Sequence, residues 1–358
     1  MSDLGVSDEV DRERKRPALS SADVAPADLP PPAVAAFIGR SRLRFADAVP
    51  WVVIAAAYFM FPKDLNLGTQ ILVNVLFVLS LDLAVGYAGI VTLGHGAFFG
   101  IGAYCAGIIA VRWTGEPLIG VVAAMLLAGA AGLVSGAIIL RTRGLTLLML
   151  TFGLLLMLEE AANRAAWLTG GTDGLSGVTI APLLSVWSWD FLGHTGYVYS
   201  AVCALIGFVI VRTIVFSPFG RSLRGIEENV TRMAAIGAPV RLRLIAVYTI
   251  SAAIAGLAGA VNAQVTQFVG VHVFSFELSG TALIMLILAG PGRLYGAFIG
   301  PPIYMIAAQS FSDRDPTYWT LWLGLLLITV VMFGRGGILG IASRIRDRVR
   351  VMARTARS

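Results

Sequence analysis

Ten apolar runs are spaced along the chain, at about 49–62, 67–87, 95–112, 117–140, 145–166, 197–216, 243–264, 278–290, 294–311 and 317–334. A helix that crosses the hydrocarbon of a bilayer needs about 20 residues, so several runs are long enough and three are short. The run 278–290 stops at "GPGR", where Pro291 and Gly292 break a helix. The stretch 67–112 is interrupted by "GYAGIVTLGHG", which places further helix breaks at Gly86, Gly94 and Gly96. Broken backbone is tolerated at membrane depth only where protein or a water-filled path satisfies the freed polar groups. The pattern predicts an all-α polytopic membrane protein of about ten spans with broken or re-entrant segments. Its membrane domain runs over 48–336. Residues 1–47 are polar and Pro-rich and read as a disordered cytoplasmic tail, with Arg40, Arg42 and Arg44 against the membrane. Residues 337–358 form a basic cytoplasmic tail.

Composition agrees with this reading. Of 358 residues, 57% are hydrophobic and only 13% are charged, about half the usual charged share of a soluble domain. The mean hydropathy is +0.81. A disordered chain, a secreted disulfide scaffold and an ordinary cytosolic enzyme are excluded. The net charge is +6, nearly all of the basic charge being Arg, which in a soluble protein would raise the question of nucleic acid. Here it sorts by side of the membrane. With the N-terminus inside and ten crossings, only Lys63, Arg112, Arg164 and Arg314 of the 27 Lys and Arg fall outside, as the positive-inside rule requires. Both termini are then cytoplasmic, and the break at Pro291–Gly292 must separate two crossings. The one long outer connection, about 167–196, carries Trp187 and Trp189 as interfacial anchors.

No nucleotide-binding GxxxxGK[ST] loop, HExxH, paired CxxC or GxSxG occurs in the chain. Cys105 and Cys203 lie within apolar runs, and His95, His194 and His272 are far apart. Neither a metal nor a catalytic centre is expected. What remains is a set of polar groups inside apolar segments, which are costly there and default to functional candidates. They are Asp82, His95, Glu159, Asn163 and Asn262, with Asn74, Gln264 and Gln309 beside them. Glu159, Asn163 and Ala166 share one helix face. Glu160 and Arg164 are also four apart and read as an interfacial ion pair. The Gly-rich breaks can serve close helix packing or offer backbone dipoles to a carboxylate.

The longest inside loop, 217–242, contains "FGRSLRGIEENVTRMAAIGA". It reads as a polar, basic stretch over Arg221–Arg232, then a short Ala-rich helix ended by Gly237. Such an element can insert into a partner's groove or rest on lipid head groups.

This loop resembles the cytoplasmic coupling loop of ABC-transporter permeases of the branched-chain amino acid group. The shared positions include Arg221, Arg224, Glu228, Asn229, Ala234, Ala235 and Gly237. Three further stretches resemble that family: "LDLAVGYAGIVTLGHGAFFGIGAY" (81–104), "LTGGTDGLSGV" (168–178) and "SFELSGTALIMLILAGPGRLYGAFIG" (275–300). The matches run in the family's order over about 65–335, leaving 1–47 uncovered. Asp82 departs from the family's usual Asn, and Pro291 and Arg293 are unusual. The resemblance is to the larger, LivM-like of two paired permeases. It implies a second, LivH-like permease, two cytoplasmic ATPase subunits that bind the ATP, and a periplasmic substrate-binding protein. It places the chain in a bacterial inner membrane, in contact with lipid and not with nucleic acid. The coupling helix, about Glu228 to Gly237, would sit in a cleft of one ATPase. The implied cargo is branched-chain or related amino acids. Urea and short-amide permeases are close relatives, and an ion-coupled secondary transporter is the alternative of a different class.

Overall fold

The computed structural model describes residues 45–182 and 193–333. Trp187, Trp189, the tail with its Arg40, Arg42 and Arg44, and the basic C-terminal segment lie outside the described residues. The described chain is all-α, apart from three 3-10 turns and an isolated antiparallel bridge between Leu175 and Val269. In order, the helices are α1 (Phe45–Met60), α2 (Leu65–Val85), α3 (Gly96–Arg112), α4 (Pro117–Ile139), α5 (Leu145–Arg164) and α6 (Ala166–Thr169). There follow α7 (His194–Phe216), α8 (Pro218–Glu228), α9 (Val230–Ala235), α10 (Val240–Thr266), α11 (Phe276–Ala289), α12 (Gly300–Arg314) and α13 (Trp319–Phe333). Five of them, α2, α4, α5, α7 and α10, are long and apolar enough to cross a membrane. Helices α1, α3, α11 and α13 are apolar but shorter. Each apolar run of the sequence lies mainly on one of these helices, although 294–311 begins in a turn and a 3-10 helix (Gly296–Phe298) before α12.

The centre is a seam of small residues. Helix α10 packs on α3 and α4, and α2 packs on α7 and α10. Gly259 lies against the carbonyl of Phe99, Gly102 against Gly256, and Gly132 against Ala252. Without side chains at these crossings the backbones come close enough for dispersion contacts to hold the helices together, the usual solution where lipid removes the hydrophobic drive between helices. The outer surface inverts a soluble protein's pattern. Leu126, Val134 and Ile138 of α4 are more than half exposed, a stripe that in water would be an aggregation site but suits lipid. Helix α5 is the least buried of the five long helices, with 22% of its apolar window inside the fold.

Contacts sort the connections onto two opposite faces. On one, the amide of Gly292 donates to Asp82 at 2.7 Å, and Arg241 at the start of α10 donates to the carbonyl of Ala137 near the end of α4, at 3.0 Å. On the other, Arg112 donates to the carbonyl of Trp167 at 2.6 Å and Ala181 to that of Gly115 at 2.9 Å.

Two segments re-enter the fold without helical backbone. Residues 86–95 leave α2 and turn back beside it, so that the Nε2 of His95 lies 3.0 Å from the hydroxyl of Ser80, more than a turn before the end of α2. Helix α3 starts there, at depth. Gly96 is its first residue, so the break ends at His95, one residue short of the expected position. The second re-entry was not anticipated. Residues 267–275 follow α3 in the reverse direction: Val269 packs beside Gly107, the Phe274 ring stacks on Tyr104 at 5.6 Å, and Ser279 accepts the Gly96 amide at 2.9 Å. Helix α11 therefore begins at depth as well. At its other end the expected break is present. The chain turns through Gly290, Pro291 and Gly292, and α12 begins only at Gly300, where Pro301 and Pro302 fit the first turn.

Candidate functional site

The loop 217–242 folds as two helices joined at a kink. Ser217 caps α8 by accepting the Gly220 amide at 3.2 Å, and Pro218 fills a first-turn position that needs no donor. Leu223 and Ile226 are buried beneath α8, while Arg221, Arg224, Glu227 and Glu228 remain exposed. The polar, basic stretch from Arg221 to Arg232 is thus mostly helical as well: its apolar positions recur at helical spacing and dock. Asn229 is extended and ends this helix. Its side chain accepts the Arg232 amide at 2.9 Å and so caps α9. The expected coupling helix from Glu228 to Gly237 is correspondingly shorter, with Glu228 belonging to α8. Gly237 closes α9 in the left-handed region (φ 80°), with the Ala238 amide donating to the carbonyl of Met233 at 3.1 Å. A Cβ on Gly237 would meet nothing within 4 Å, so glycine serves backbone conformation there rather than close packing. No residue of α9 is buried. Ala234 and Ala235 are exposed, and Ile236 is 71% exposed.

Beneath α8 lies a chain of contacts into the membrane domain. The guanidinium of Arg224 sits over the ring of Tyr87, 5.0 Å from its centroid. Glu227 packs on Gly89, where a Cβ would come within 3.3 Å of its Cγ. Tyr87 and Gly89 belong to the turn that leaves α2, and Asp82, one turn earlier, accepts the Gly292 amide. Asp82 is 1% exposed, and Arg224 is the cation that acts on it electrostatically. Gly86 lets the two turns meet, because a Cβ there would collide with both the Asp82 carboxylate and the Gly292 nitrogen. Gly86, Pro291 and Gly292, expected as helix breaks, are thus brought together. They join α8, the exit of α2 and the exit of α11 into one junction.

The other expected residues are not brought to that junction. His95 is buried, stacked on Phe77 at 5.7 Å and bonded to Ser80, with Ser251 3.4 Å away. The structure places it in the interior rather than on an open wall, because re-entry turns it back onto α2. Gly94 lies against the Thr151 carbonyl of α5. Glu159 and Asn163 do share one open groove, of about 480 Å³, with Glu160, Thr172 and Val271. Ala166 leaves their face, since α5 ends at Arg164 and α6 starts after Ala165. The pair Arg164–Glu160 forms at 2.6 Å on the surface. Asn262 is half-buried and lines neither this groove nor the one beside α11. Glu227 and Ile236 were not singled out. For Ile236 a signal existed, an apolar residue directly before the glycine stop of a polar loop.

Residues 65–334 match the family described as branched-chain amino acid transport system / permease component. The chain belongs to that family. The high-affinity branched-chain amino acid transport system permease protein LivM of Salmonella typhimurium is 27% identical over 317 residues, covering 80% of this chain and 73% of the relative. LivM of Escherichia coli is 26% identical over 320 residues, covering 81% and 74%. A probable branched-chain amino acid transport permease protein LivM of Methanocaldococcus jannaschii is 26% identical over 269 residues, covering 64% and 75%. No solved structure matches the chain. As a multi-pass membrane permease, the protein keeps its whole junction, from Asp82 to Gly292, within the matched residues, while α1 precedes them.

Proposed function

We propose that this permease carries branched-chain or related amino acids across a bacterial inner membrane as one of two paired membrane subunits, with ATP bound and hydrolysed on separate cytoplasmic subunits and cargo delivered by a periplasmic binding protein. The observation that carries this reading is the pairing of an exposed α9, tipped by Ile236, with an α8 docked through Leu223 and Ile226 that rests on Tyr87, Gly89 and, through Asp82, Gly292. The relatives' names supply the cargo class. The positive-inside count supplies ten crossings with both termini cytoplasmic.

In this reading α9, with Ala234, Ala235 and Ile236, enters a cleft of an ATPase subunit. Closure of the ATPase pair moves α8 as a rigid body, since Leu223 and Ile226 tie it to the membrane domain. Arg224 and Glu227 pass the displacement to the turn 86–90, and the Asp82–Gly292 bond carries it to the end of α11. Packed elements move in this way because interfaces switch between discrete arrangements rather than deform continuously. Groups on α2 and α11 that face the cargo would thereby change together.

The test is reconstitution of the complete complex in vesicles, with radiolabelled leucine and loaded binding protein outside and ATP inside. Uptake that needs ATP and the partner subunits is expected. Uptake by the single chain without ATP would overturn the assignment in favour of a secondary transporter, and uptake of urea but not leucine would move it to the amide permeases.

A further inference from the structure

A second groove, of about 590 Å³, lies between α2, α11, α12 and the start of α13. Its size is that of a small-molecule site. Leu67 and Trp319 mark its outer end, and Met285 lies deeper along α11. Glu277 projects from the first turn of α11 into this groove, with Asn74, Thr281, Tyr304 and Gln309 facing the same space. Because α11 begins at depth, Glu277 is exposed to this groove rather than placed at the end of a full span. It lies about 18 Å along the helix from the turn at Gly290, within a hydrocarbon layer of about 30 Å.

A carboxylate at that depth is costly unless something compensates it. The helix N-terminus favours it, but supplies only a partial charge. No Lys or Arg lines the groove, and His272 is its other ionisable neighbour on the same re-entrant segment; among the described residues the one ion pair is the distant Arg164–Glu160. Glu277 is therefore a carboxylate with no ion-pair partner. Around it are hydroxyls from Thr281 and Tyr304 and apolar walls from Met285 and Met305, the latter side chains that adapt to aliphatic groups of different shape. This combination is complementary to a zwitterion with a hydrocarbon side chain: a cation partner, hydroxyl donors for a carboxylate and a compliant apolar surface.

We propose that this groove holds an aliphatic α-amino acid in passage, with Glu277 as the counter-charge of its ammonium group. The inference rests on the transport reading above and names the surface that the cargo follows. Thr281 and Tyr304 donate to the carboxylate, and Met285 and Met305 cover the side chain. The sequence pattern hid Glu277, because the apolar run it precedes starts at residue 278.

The test uses the complete complex in vesicles with radiolabelled leucine. Glu277→Gln is expected to lower ATP-driven leucine uptake about tenfold or more, while Glu277→Asp, which keeps the charge, recovers most of it. Independently, a thiol placed by Thr281→Cys is expected to react several-fold faster with a cationic than with an anionic membrane-impermeant methanethiosulfonate from outside. Leucine-loaded binding protein should slow that reaction. Wild-type uptake by Glu277→Gln, or equal rates of the two reagents, would overturn the proposal. If Glu277→Gln does not assemble, the labelling preference decides alone, since Glu277 is intact there. Failure of the wild-type complex to take up leucine at all would instead remove the transport reading.

Discussion

The bond from Gly292 to Asp82 lends itself to a quantitative test. A hydrogen bond from an amide to a carboxylate contributes about 1.5–3 kcal/mol, against about 0.5–1.5 kcal/mol for a neutral acceptor. Asp82→Ala removes the acceptor from a 2.7 Å contact, yet it also relieves the desolvation of a buried charge. The net effect on global stability is therefore small or of either sign, and a melting temperature is the wrong readout. The local equilibrium is the right one. Losing about 1.5–3 kcal/mol from the closed turn raises its open population roughly ten- to hundredfold, since each 1.4 kcal/mol is a factor of ten. Amide hydrogen exchange of the Gly292 turn in the assembled complex reads that population directly. We expect exchange of the Gly292 amide to accelerate by that factor in Asp82→Ala and only a few-fold in Asp82→Asn, whose amide oxygen still accepts. Exchange within twofold of wild type in Asp82→Ala would refute the reasoning, because Gly292 would then owe its protection to something other than this carboxylate. The ranking also bears on the family's usual Asn at this position, which the geometry accommodates as a weaker acceptor.

Other perturbations follow from the same contacts. Gly86→Ala should be more damaging than Asp82→Ala, because its methyl collides with both the carboxylate and the Gly292 nitrogen; leucine uptake and size-exclusion behaviour measure this, and a wild-type profile would show that the turns part freely. Ile236→Asp should weaken assembly with the ATPase subunits by roughly tenfold or more, as expected for exchanging about 1.5–3 kcal/mol of side-chain burial for a charge; a binding titration of the ATPase onto the permease checks it, and unchanged affinity would place Ile236 outside the contact. Arg164→Ala should leave uptake unchanged and cost below about 1 kcal/mol, since the Arg164 and Glu160 side chains are 81% and 56% exposed; a marked loss of uptake would show that the pair does more than sit at the surface.

The helices were legible because length and apolarity are local properties. Runs such as 117–140 and 145–166 coincide with α4 and α5 to within two residues, and "GPGR" marks a real interruption because Pro and Gly disfavour helix by backbone geometry alone. What escaped depends on where the chain turns. His95 looks the same in sequence whether it faces a cavity or Ser80, fifteen residues earlier, and only the re-entry of 86–95 decides. Residues 267–275, "QFVGVHVFS", hold too few consecutive apolar positions to read as a span and too many aromatic ones to read as a solvated loop. Their descent along α3 relies on Gly100 and Gly107, residues that seem unremarkable alone. Helix α8 was visible in principle, with Phe219, Leu223 and Ile226 at helical spacing, but the Arg and Glu residues between them dominated the pattern. Among the site residues, Gly237 was legible as a helix stop from its residue type, whereas Asn229 was picked out by position, and its role as the cap of α9 follows from geometry the residue type does not announce.

The seam of glycine and alanine through α3, α4 and α10 divides the molecule into parts of unequal stiffness. Where Gly259 meets the Phe99 backbone there is no slack to absorb a shift, so those three helices must travel as one piece. Helix α5 is held mainly along one edge, by Thr151 and Leu155, and gives most of its surface to whatever surrounds it. A lever needs both a beam that does not bend and a bearing on which it can turn. The interlocked trio supplies the first. The lightly held edge of α5 is where the second would be found, and a crosslink between α5 and the trio should arrest the machine without touching cargo or nucleotide.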